Sequence, residues 1–258
     1  MAKFDINKHW WVVIIVVAIV GIAAGLITNA WMPGRQVIVV FLASGLTVLL
    51  LVAVILVIRS NTFRKYWQIL VGGIVTFEPV KLEVKDFKSD GFVLDIGGGG
   101  EGIIGRLKGK QAVAIDIRKG ELDEILAGPQ KVVMDARQLA FPDGSFQTAT
   151  AFFSMMYLKT RGDHQQVISE AWRVLKPGAH LHLWDVDLSK RPGRRKEFFL
   201  VRLRYRVGEF ENGTGYGMRW PEEPRGEEYY LQLASQAGFQ HLTTAREKHI
   251  FYLVFIKQ

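Results

Sequence analysis

The chain of 258 residues contains no cysteine. Disulfide bonds, thiolate metal sites and a cysteine nucleophile are therefore excluded. Histidine is scarce as well: the six histidines are scattered, and no carboxylate pair stands at metal-ligand spacing with them. We therefore expect no bound metal, and the lack of thiols fits a reducing compartment.

The apolar residues are spread unevenly, and most of their excess lies before residue 60. Residues 10–27 and 37–58 form two apolar runs, each long enough to cross a hydrocarbon core of about 30 Å as a helix. The first run is longer than the apolar core of a cleaved signal peptide, and a second run follows it. The sequence therefore predicts a transmembrane helical hairpin over residues 1–58, with a Pro-Gly turn between the spans. The aromatic residues at its expected interfaces are Trp10, Trp11 and Trp31.

The formal net charge of +8 suits either a nucleic acid or an anionic lipid surface as a partner. The apolar N-terminus favours membrane lipids and makes nucleic acid the less favoured partner. Lysine and arginine also orient the hairpin, because they accumulate on the cytoplasmic side. We therefore expect a two-pass protein of the cell membrane whose termini and remaining chain are cytoplasmic. The relevant residues are Lys3 and Lys8 before the first span, Arg35 in the loop, and Arg59, Arg64 and Lys65 after the second span.

Residues 59–89 mix basic and aromatic side chains and then become apolar. We predict a juxtamembrane connector helix over this segment. Two placements remain open for it: the helix lies along the membrane surface, or it packs on the domain that follows.

Strand and helix signals alternate from about residue 90 onward. This alternation predicts an α/β domain over residues 90–258, with a Rossmann-like, doubly wound parallel sheet. Ligands of such sheets bind outside the carboxyl ends of the strands, near the point at which the strand order reverses. The predicted strands are 92–94, 112–115, 131–134, 148–153 and 179–184, and the clearest helix is 164–175.

A glycine-rich loop follows the first strand of this domain. The strand ends at Asp95, and the loop runs from Gly97 to Gly100. Glycines let the backbone turn sharply and approach a ligand closely, and the helix that follows begins with free N–H groups. Asp116 lies about 20 residues after the loop, at the spacing from which a carboxylate binds both ribose hydroxyls. The loop and Asp116 alone suit NAD and S-adenosylmethionine (SAM) equally.

Three segments, in order, resemble motifs of the class I SAM-dependent methyltransferases, especially the branch of quinone-biosynthesis and small-molecule enzymes. They are VLDIGGG over residues 93–99, the DA and LAFPDGSF elements within 135–146, and EAWRVLKPG over 170–178. The resemblance extends over about residues 90–256 and does not cover the hairpin. It implies a seven-stranded sheet whose last strand is antiparallel, SAM as the cofactor, and methyl transfer as the reaction.

The resemblance also implies a role for each motif position at the SAM site. The residues expected to hold the methionine part of SAM are Asp95, Gly97, Gly98, Gly99 and Gly100. Those expected near the remaining parts are Asp116 at the ribose, Ile117, Asp135 and Ala136 at the adenine, and Phe153 and Ser154 near the transferable methyl group.

One loop position departs from the family pattern. The third glycine of the first motif falls on Glu101 in this chain, and Gly102 comes one place later. We expect this change to alter the contact of the loop with the SAM carboxylate.

Few side chains are candidates for acid–base chemistry. Methyl transfer depends largely on positioning and desolvation, and a hydroxyl acceptor usually needs a base. The candidates are Tyr157 near the expected methyl group, His164 at the start of a helix, and Asp185 beyond the fifth strand. For His164 the alternative is an exposed residue at the helix start. His180 and His182 alternate on the fifth strand, where structural packing is the competing explanation.

Residues 188–226 resemble the family least, and insertions at this place in the fold commonly cap the substrate pocket. The first half of this segment mixes basic and apolar residues. It is typical of a surface that grips anionic lipid headgroups, of an RNA-binding surface, or of the solvated charged face of a cap helix. Between the two functional interpretations, the predicted anchor favours lipid.

The sequence supports three hypotheses for function. The first is SAM-dependent methyl transfer to a hydrophobic or membrane-associated acceptor, such as a lipid, a quinone-like ring or a small lipophilic molecule, which tethering would concentrate. The second keeps the enzyme but gives it a soluble acceptor, with the hairpin serving only localisation. The third is a non-catalytic SAM-binding scaffold whose hairpin forms oligomers through small residues. Those residues are Gly21, Ala24 and Gly25.

Overall fold

The computed structural model describes Ser60 and residues 73–193 and 196–258. The predicted hairpin, residues 1–58, and most of the predicted connector lie outside the described residues. Within the part that is described, no helix has the length and apolar character needed to span a membrane. The described chain from Gly73 onward belongs to one compact unit, Val71–Gln258.

Eleven strands and four α-helices are formed by the described residues. The strands are β1 (Ile74–Thr76), β2 (Val80–Glu83), β3 (Val93–Ile96), β4 (Ala112–Asp116), β5 (Gln130–Val133), β6 (Phe146–Phe152), β7 (Leu175–Val186), β8 (Phe198–Val207), β9 (Phe210–Arg219), β10 (Phe239–Glu247) and β11 (Ile250–Lys257). The helices are α1 (Ile103–Lys108), α2 (Lys119–Glu124), α3 (Arg161–Val174) and α4 (Glu227–Ala237), and 3₁₀ turns span Gly109–Gln111 and Met155–Tyr157.

A large sheet of seven strands has the order β10-β11-β7-β6-β3-β4-β5. Strands β3 to β7 are mutually parallel, whereas β11 is antiparallel to β7 and β10 is antiparallel to β11. The central strands are apolar on both faces, as is typical of a parallel sheet covered on both sides; all four residues of β3 are buried. The predictions of a doubly wound α/β sheet and of an antiparallel last strand are confirmed.

Helix α3 shows how the sequence sets the position of one layer over this sheet. A capping box begins it: Thr160 accepts from the backbone N–H of Asp163, and the Asp163 side chain accepts from the Thr160 N–H. The apolar residues then recur at helical spacing and face the sheet. The buried residues of the helix are His164, Val167, Ile168, Ala171 and Val174.

A second, smaller sheet has β8 at its centre. Strands β1 and β2 pair in succession with one edge of β8, both in parallel, and β9 pairs with the other edge in an antiparallel hairpin. The prediction of a connector helix over residues 59–89 is therefore wrong for the residues that form β1 and β2. The physical reason is local: β1 consists of the β-branched residues Ile-Val-Thr, and in β2 apolar residues alternate with charged ones, with Val80 buried and Lys81 exposed.

The predicted insertion, residues 188–226, contains the hairpin of β8 and β9. Arginines alternate with buried apolar residues along β8, so the charged face belongs to a strand and the interpretation as a cap helix is wrong. The buried face packs on the large sheet together with α1 and residues of β6 and β7. The buried residues of β8 are Phe199, Val201, Leu203, Tyr205 and Val207.

Candidate active site

A cavity of about 650 Å³ opens at the carboxyl edge of the large sheet. The residues that follow β3, β4, β5 and β6 line it, and its volume is in the range of small-molecule sites. Because the strand order reverses between β3 and β6, the cavity lies where ligands bind in doubly wound sheets. The predicted cofactor residues that line it are Asp95, Gly97, Gly98, Gly99, Asp116, Ile117, Asp135, Ala136, Phe153 and Ser154.

The glycine loop turns through left-handed backbone conformations. Gly97 has a φ of 68°, and a Cβ placed there would lie 2.4 Å from the Cβ of Ser154. Only glycine therefore fits at this position without moving the end of β6. Gly100 differs from the prediction: it does not line the cavity, and its N–H donates to the Glu121 carbonyl at 2.8 Å.

The displaced glycine of the motif has a structural role of its own. Gly102 lies at the N-cap of α1 with a φ of 57°, and a Cβ there would lie 1.7 Å from Cγ2 of Ile125. The close approach to Ile125 therefore requires glycine at residue 102, one place after the position of the motif's third glycine. Glu101 is free to carry a side chain.

Asp95 is buried at the base of the loop, with 2% of its surface exposed. The Thr150 hydroxyl donates to its carboxylate at 2.9 Å. Burial raises the pKa of Asp95 to about 7, an effect that the Thr150 hydrogen bond opposes. A cation bound in the cavity would favour the ionised form, so this carboxylate is suited to a positively charged ligand.

The charges around the cavity distinguish between SAM and NAD, the two ligands that the glycine loop alone would suit. Six acidic and three basic side chains line it. A predominantly acidic wall suits the ammonium and sulfonium groups of SAM and the hydrogen-bond donors of its ribose and adenine. It opposes the pyrophosphate of NAD, so the residues present fit SAM. The acidic residues are Asp95, Glu101, Asp116, Glu121, Asp135 and Asp163, and the basic residues are Arg118, Arg137 and Lys159.

The carboxylates of Asp116 and Asp135 differ in how many hydrogen bonds they already accept from the protein. Asp116 accepts the backbone N–H of Arg118 at 2.8 Å. Asp135 accepts the backbone N–H of Arg137 at 2.9 Å and both Nε and Nη2 of its guanidinium, the latter at 2.7 Å. This guanidinium lowers the pKa of Asp135. An adenine amino group that binds Asp135 would therefore share the carboxylate with Arg137, a residue that the motif comparison did not identify.

Phe153 and Ser154 turn the chain away from β6 above the loop. Phe153 has a φ of 50°, which is uncommon for a residue with a side chain, and its ring stacks on Tyr216 of β9 with centroids 5.0 Å apart. The Ser154 hydroxyl donates to the Ile96 carbonyl at 2.6 Å. Ser154 therefore fixes the turn, while Phe153 presents an aromatic wall to the cavity.

Glu101 joins the glycine loop to the small sheet. Its carboxylate accepts hydrogen bonds from the hydroxyl of Thr214 and, at 3.3 Å, from that of Tyr216. Burial and the nearby Glu101 charge raise the pKa of Tyr216, so that hydroxyl remains protonated and donates. The sequence marked Glu101 as a departure from the motif but did not reveal this partner. The one signal for Tyr216 was a single large residue among the alternating glycines of β9.

Tyr157 lies at the cavity, as predicted, and is 45% exposed. Burial of its hydroxyl and the Glu101 charge raise its pKa. At neutral pH the phenol is therefore a hydrogen-bond donor and a weak base, which suits orientation of an acceptor better than removal of its proton.

His164 and Asp185 do not line the cavity, so the predictions that they act on the substrate are wrong. His164 is fully buried within α3; its Nδ1 lies 2.8 Å from the Thr160 carbonyl, and burial lowers its pKa to about 4. Asp185 is also buried and accepts from the Tyr230 hydroxyl at 3.0 Å. Burial raises the pKa of Asp185 to about 7. Both are part of the packing behind the site.

The third motif segment acts at a distance from the cavity. The Arg173 guanidinium donates to the carbonyls of Leu139 and Phe141, each at 2.8 Å, and to Glu170. Glu170 in turn accepts the Leu139 N–H at 2.7 Å. These contacts hold the second motif segment against α3 and so fix the chain that follows Asp135. His182 is structural as well, stacked between Phe87 and Trp184.

Comparison with known proteins agrees with this site. Residues 94–183 match a family model described as a methyltransferase domain. A demethylmenaquinone methyltransferase of Listeria monocytogenes is 31% identical over 115 residues, which cover 42% of this chain and 47% of the relative. The same enzyme of Listeria welshimeri gives the same identity and coverage. The chain therefore spans about half the length of the curated relatives it matches.

The fold has a counterpart among solved structures. The CcbJ methyltransferase from Streptomyces caelestis superposes with a TM-score of 0.50 at 12% identity, covering 66% of this chain and 90% of that one. At this identity the likeness concerns the fold alone. The family match agrees with the predicted methyltransferase resemblance of this region. Among the described residues, no group of three or more His, Cys, Asp or Glu side chains is placed to hold a metal ion. Residues 94–183 therefore carry the sequence pattern of a methyltransferase domain, and the cavity that they line has the acidic character that suits SAM.

Proposed function

We propose that the chain is a methyltransferase that transfers the methyl group of SAM to a hydrophobic, membrane-associated acceptor such as a lipid, a quinone-like ring or a small lipophilic molecule. The acidic cavity supports the use of SAM. The acceptor class is supported by the aromatic rings beside that cavity together with the two apolar runs of the N-terminal sequence. The name of the Listeria relatives adds a quinone precursor to the candidates.

SAM supplies an electrophilic methyl group: an acceptor atom bonds to its carbon, the carbon–sulfur bond breaks, and the neutral thioether leaves while the acceptor proton passes to water. The protein holds the reactants in line and excludes water. Phe153, Tyr157 and Tyr216 line the cavity, and we place the acceptor beside them. Flat apolar rings beside hydroxyl donors suit a planar acceptor that carries oxygen atoms.

The location that we propose for the protein is the cell membrane, with a two-pass hairpin over residues 1–58 and the methyltransferase domain in the cytoplasm. It follows from the length of the apolar runs and the distribution of lysine and arginine around them. Membrane lipids and the acceptor are the proposed partners, and small residues in the first run support self-association.

Titration calorimetry with SAM tests the site. Asp116→Ala removes the carboxylate proposed to bind the ribose, and we expect SAM affinity to fall by roughly 10- to 100-fold, as for the loss of hydrogen bonds to a charged group. Asp123→Ala is the matched control, since Asp123 is exposed on α2 and pairs with Lys119 at 2.6 Å away from the cavity wall. No heat with SAM in the intact protein would contradict the proposal.

Transfer of a labelled methyl group tests the acceptor class. Membranes and the soluble fraction of the source cells are each incubated with the protein and labelled SAM. Lipids are then extracted into organic solvent, and the label is measured in the lipid extract and in the aqueous phase. We expect label in the lipid extract, and its loss with Asp116→Ala. Label confined to soluble molecules would instead support a soluble acceptor with the hairpin serving localisation.

A further inference from the structure

The outer face of the small sheet carries a row of basic side chains. On β8, Arg202, Arg204 and Arg206 are exposed, whereas the residues between them are buried. Lys81 of β2 pairs with Arg204 in parallel register, so its side chain lies on the same face. On the other edge of β8, Arg219 of β9 pairs with Phe198 and belongs to this face too.

Acidic residues offset this charge only in part. Glu83 of β2 pairs with Arg206 in parallel register and lies exposed on the same face. Glu211 lies 3.3 Å from Arg206 and 3.9 Å from Arg204, and Glu197 lies 3.2 Å from Arg219. For Arg202 no ion pair occurs among the described residues. The arginines of these pairs remain well exposed, so the pairs are weak and do not neutralise the face.

Beside the arginines, the outer face of β9 carries a row of glycines. Gly213, Gly215 and Gly217 pair with Arg204, Arg202 and Leu200, and all three glycines are exposed. The face is therefore flat along this strand. Gly215 also lines the cavity, so the glycine row leads from the basic face to the site.

At the other end of the same face, beside Arg219, apolar residues of β1 and β8 lie close in sequence to the predicted anchor. Ile74 of β1 is 42% exposed and pairs with Phe198 of β8, which is half-buried. Only residues 59–73 separate the end of the second apolar run from this strand. Fifteen residues reach about 50 Å when extended, which is ample for the face to lie against the bilayer that the anchor would cross.

We propose that the outer face of the small sheet docks on an anionic bilayer surface, with the arginines of β8 against lipid headgroups and the glycine row of β9 leading toward the cavity. This inference rests on the proposed membrane location. Basic residues are attracted to an anionic leaflet over about a Debye length. Because these residues lie on one face, the attraction turns that face of the domain toward the bilayer.

The absence of cysteine allows a direct test in the full chain. Thr76→Cys places a single label on the outer face, and Thr243→Cys places one on exposed β10 at the far edge of the large sheet. Each protein is reconstituted in nanodiscs of phosphatidylcholine, with or without phosphatidylglycerol, that contain a headgroup-attached quencher. We expect the Thr76→Cys label to be quenched about threefold more in anionic discs and less at high salt, and the Thr243→Cys label to respond equally in both.

Paired charge variants test the arginines. Arg202→Gln with Arg204→Gln should abolish the extra quenching of the Thr76→Cys label. Lys110→Gln with Lys176→Gln removes two exposed charges away from the small sheet and should leave the quenching unchanged. Equal quenching in neutral and anionic discs, or quenching that survives the arginine variant, would overturn the proposal.

The other outcomes also decide between explanations. If single-stranded RNA at physiological salt removes the extra quenching of the Thr76→Cys label in anionic discs, the face binds RNA and the docking proposal is overturned. If docking fails while SAM binding and methyl transfer into lipid persist, the proposed function stands and only the face is wrong. If the full chain does not enter discs, both the docking and the membrane location are overturned.

Discussion

The carboxyl edge of the large sheet and the β8–β9 hairpin of the small sheet meet at one cavity but contribute different chemistry. The large sheet provides a glycine loop and carboxylates, placed by short connections between neighbouring strands. The hairpin provides the Tyr216 ring and the hydroxyls that bind Glu101. One region is suited to a polar, cationic cofactor, and the other to an apolar acceptor.

This difference indicates where substitutions are tolerated. The glycine loop has almost no space for larger side chains, since added Cβ atoms at Gly97 and Gly102 would clash. The hairpin contacts the loop through one carboxylate, at a position where the family motif has glycine. The glycine loop is therefore constrained by its backbone, whereas the hairpin contacts that loop through side chains. Four predictions test this division, beginning with the largest expected effect.

Leu203→Ala should lower the free energy of unfolding by about 2–5 kcal/mol, because Leu203 of β8 is 2% exposed and its loss leaves a cavity. Chemical denaturation followed by circular dichroism measures this. Leu183→Ala in β7, 1% exposed, is the counterpart in the large sheet. If the two sheets unfold as one unit, both variants show a single transition; a separate early transition in Leu203→Ala alone would show that the small sheet unfolds independently.

Gly97→Ala should weaken SAM binding by roughly 100-fold, since the left-handed φ and the contact with Ser154 both force the loop to move. Calorimetry with SAM measures the change. Gly120→Ala in α2 is the control, because its Cβ meets nothing within 4 Å and alanine favours a helix. A Gly97→Ala protein that binds SAM normally would show that the loop is not constrained by its backbone.

Asp185→Asn should make stability less dependent on pH. Burial raises the folded-state pKa of Asp185 to about 7, above its unfolded value, so its contribution is present below the unfolded pKa and is lost as pH rises through the folded pKa. Relative to the parent, the variant should therefore become progressively more stable as the pH rises from 4 to 8. Denaturation midpoints across this range provide the measurement.

Tyr230→Phe sharpens the same test. The Tyr230 hydroxyl donates to the ionised Asp185, so its removal should raise the pKa of Asp185 further and move the loss of stability to higher pH. A pH profile unchanged in both variants would mean that Asp185 is already ionised at low pH, and would contradict the role of burial.

Glu101→Gln and Thr214→Val should each weaken the link between the loop and the hairpin, with a coupling of about 1 kcal/mol in a double-mutant cycle. Hydrogen exchange of β9 amides, with and without SAM, measures how firmly the hairpin is held. Glu101→Gly restores the family pattern and should free the hairpin. Additive effects of the two substitutions would contradict a direct link.

The large sheet was predictable because its signals are local. The alternation of strands and helices, the glycine loop and the carboxylates at strand ends all lie within short stretches, and the predicted strand 112–115 differs from β4 by one residue. The same locality placed Tyr157 and ten of the cofactor residues at the cavity. The second and third motif segments are explained by Arg173, which ties one segment to the other.

The errors arose where partners are distant in sequence. Ile74 of β1 pairs with Phe198 of β8, and Asp185 finds its hydroxyl donor on α4, so neither environment is visible in the local pattern. His164 is different, since it stands at helical spacing from Val167, Ile168 and Ala171 on the buried face of α3. Helical periodicity therefore contained the signal that assigns His164 to the core.

The central position of β8 has a consequence for folding. Its partners β1 and β2 are synthesised about 120 residues before it, so they have no β8 strand to pair with while most of the large sheet is synthesised. At about 5–20 residues per second, ribosomal synthesis leaves them with open edges for several seconds. A fragment that begins at residue 90, where the motif resemblance starts, would lack both strands and expose one edge of β8 permanently. We expect such a fragment to aggregate, and one that begins at residue 71 to remain monomeric.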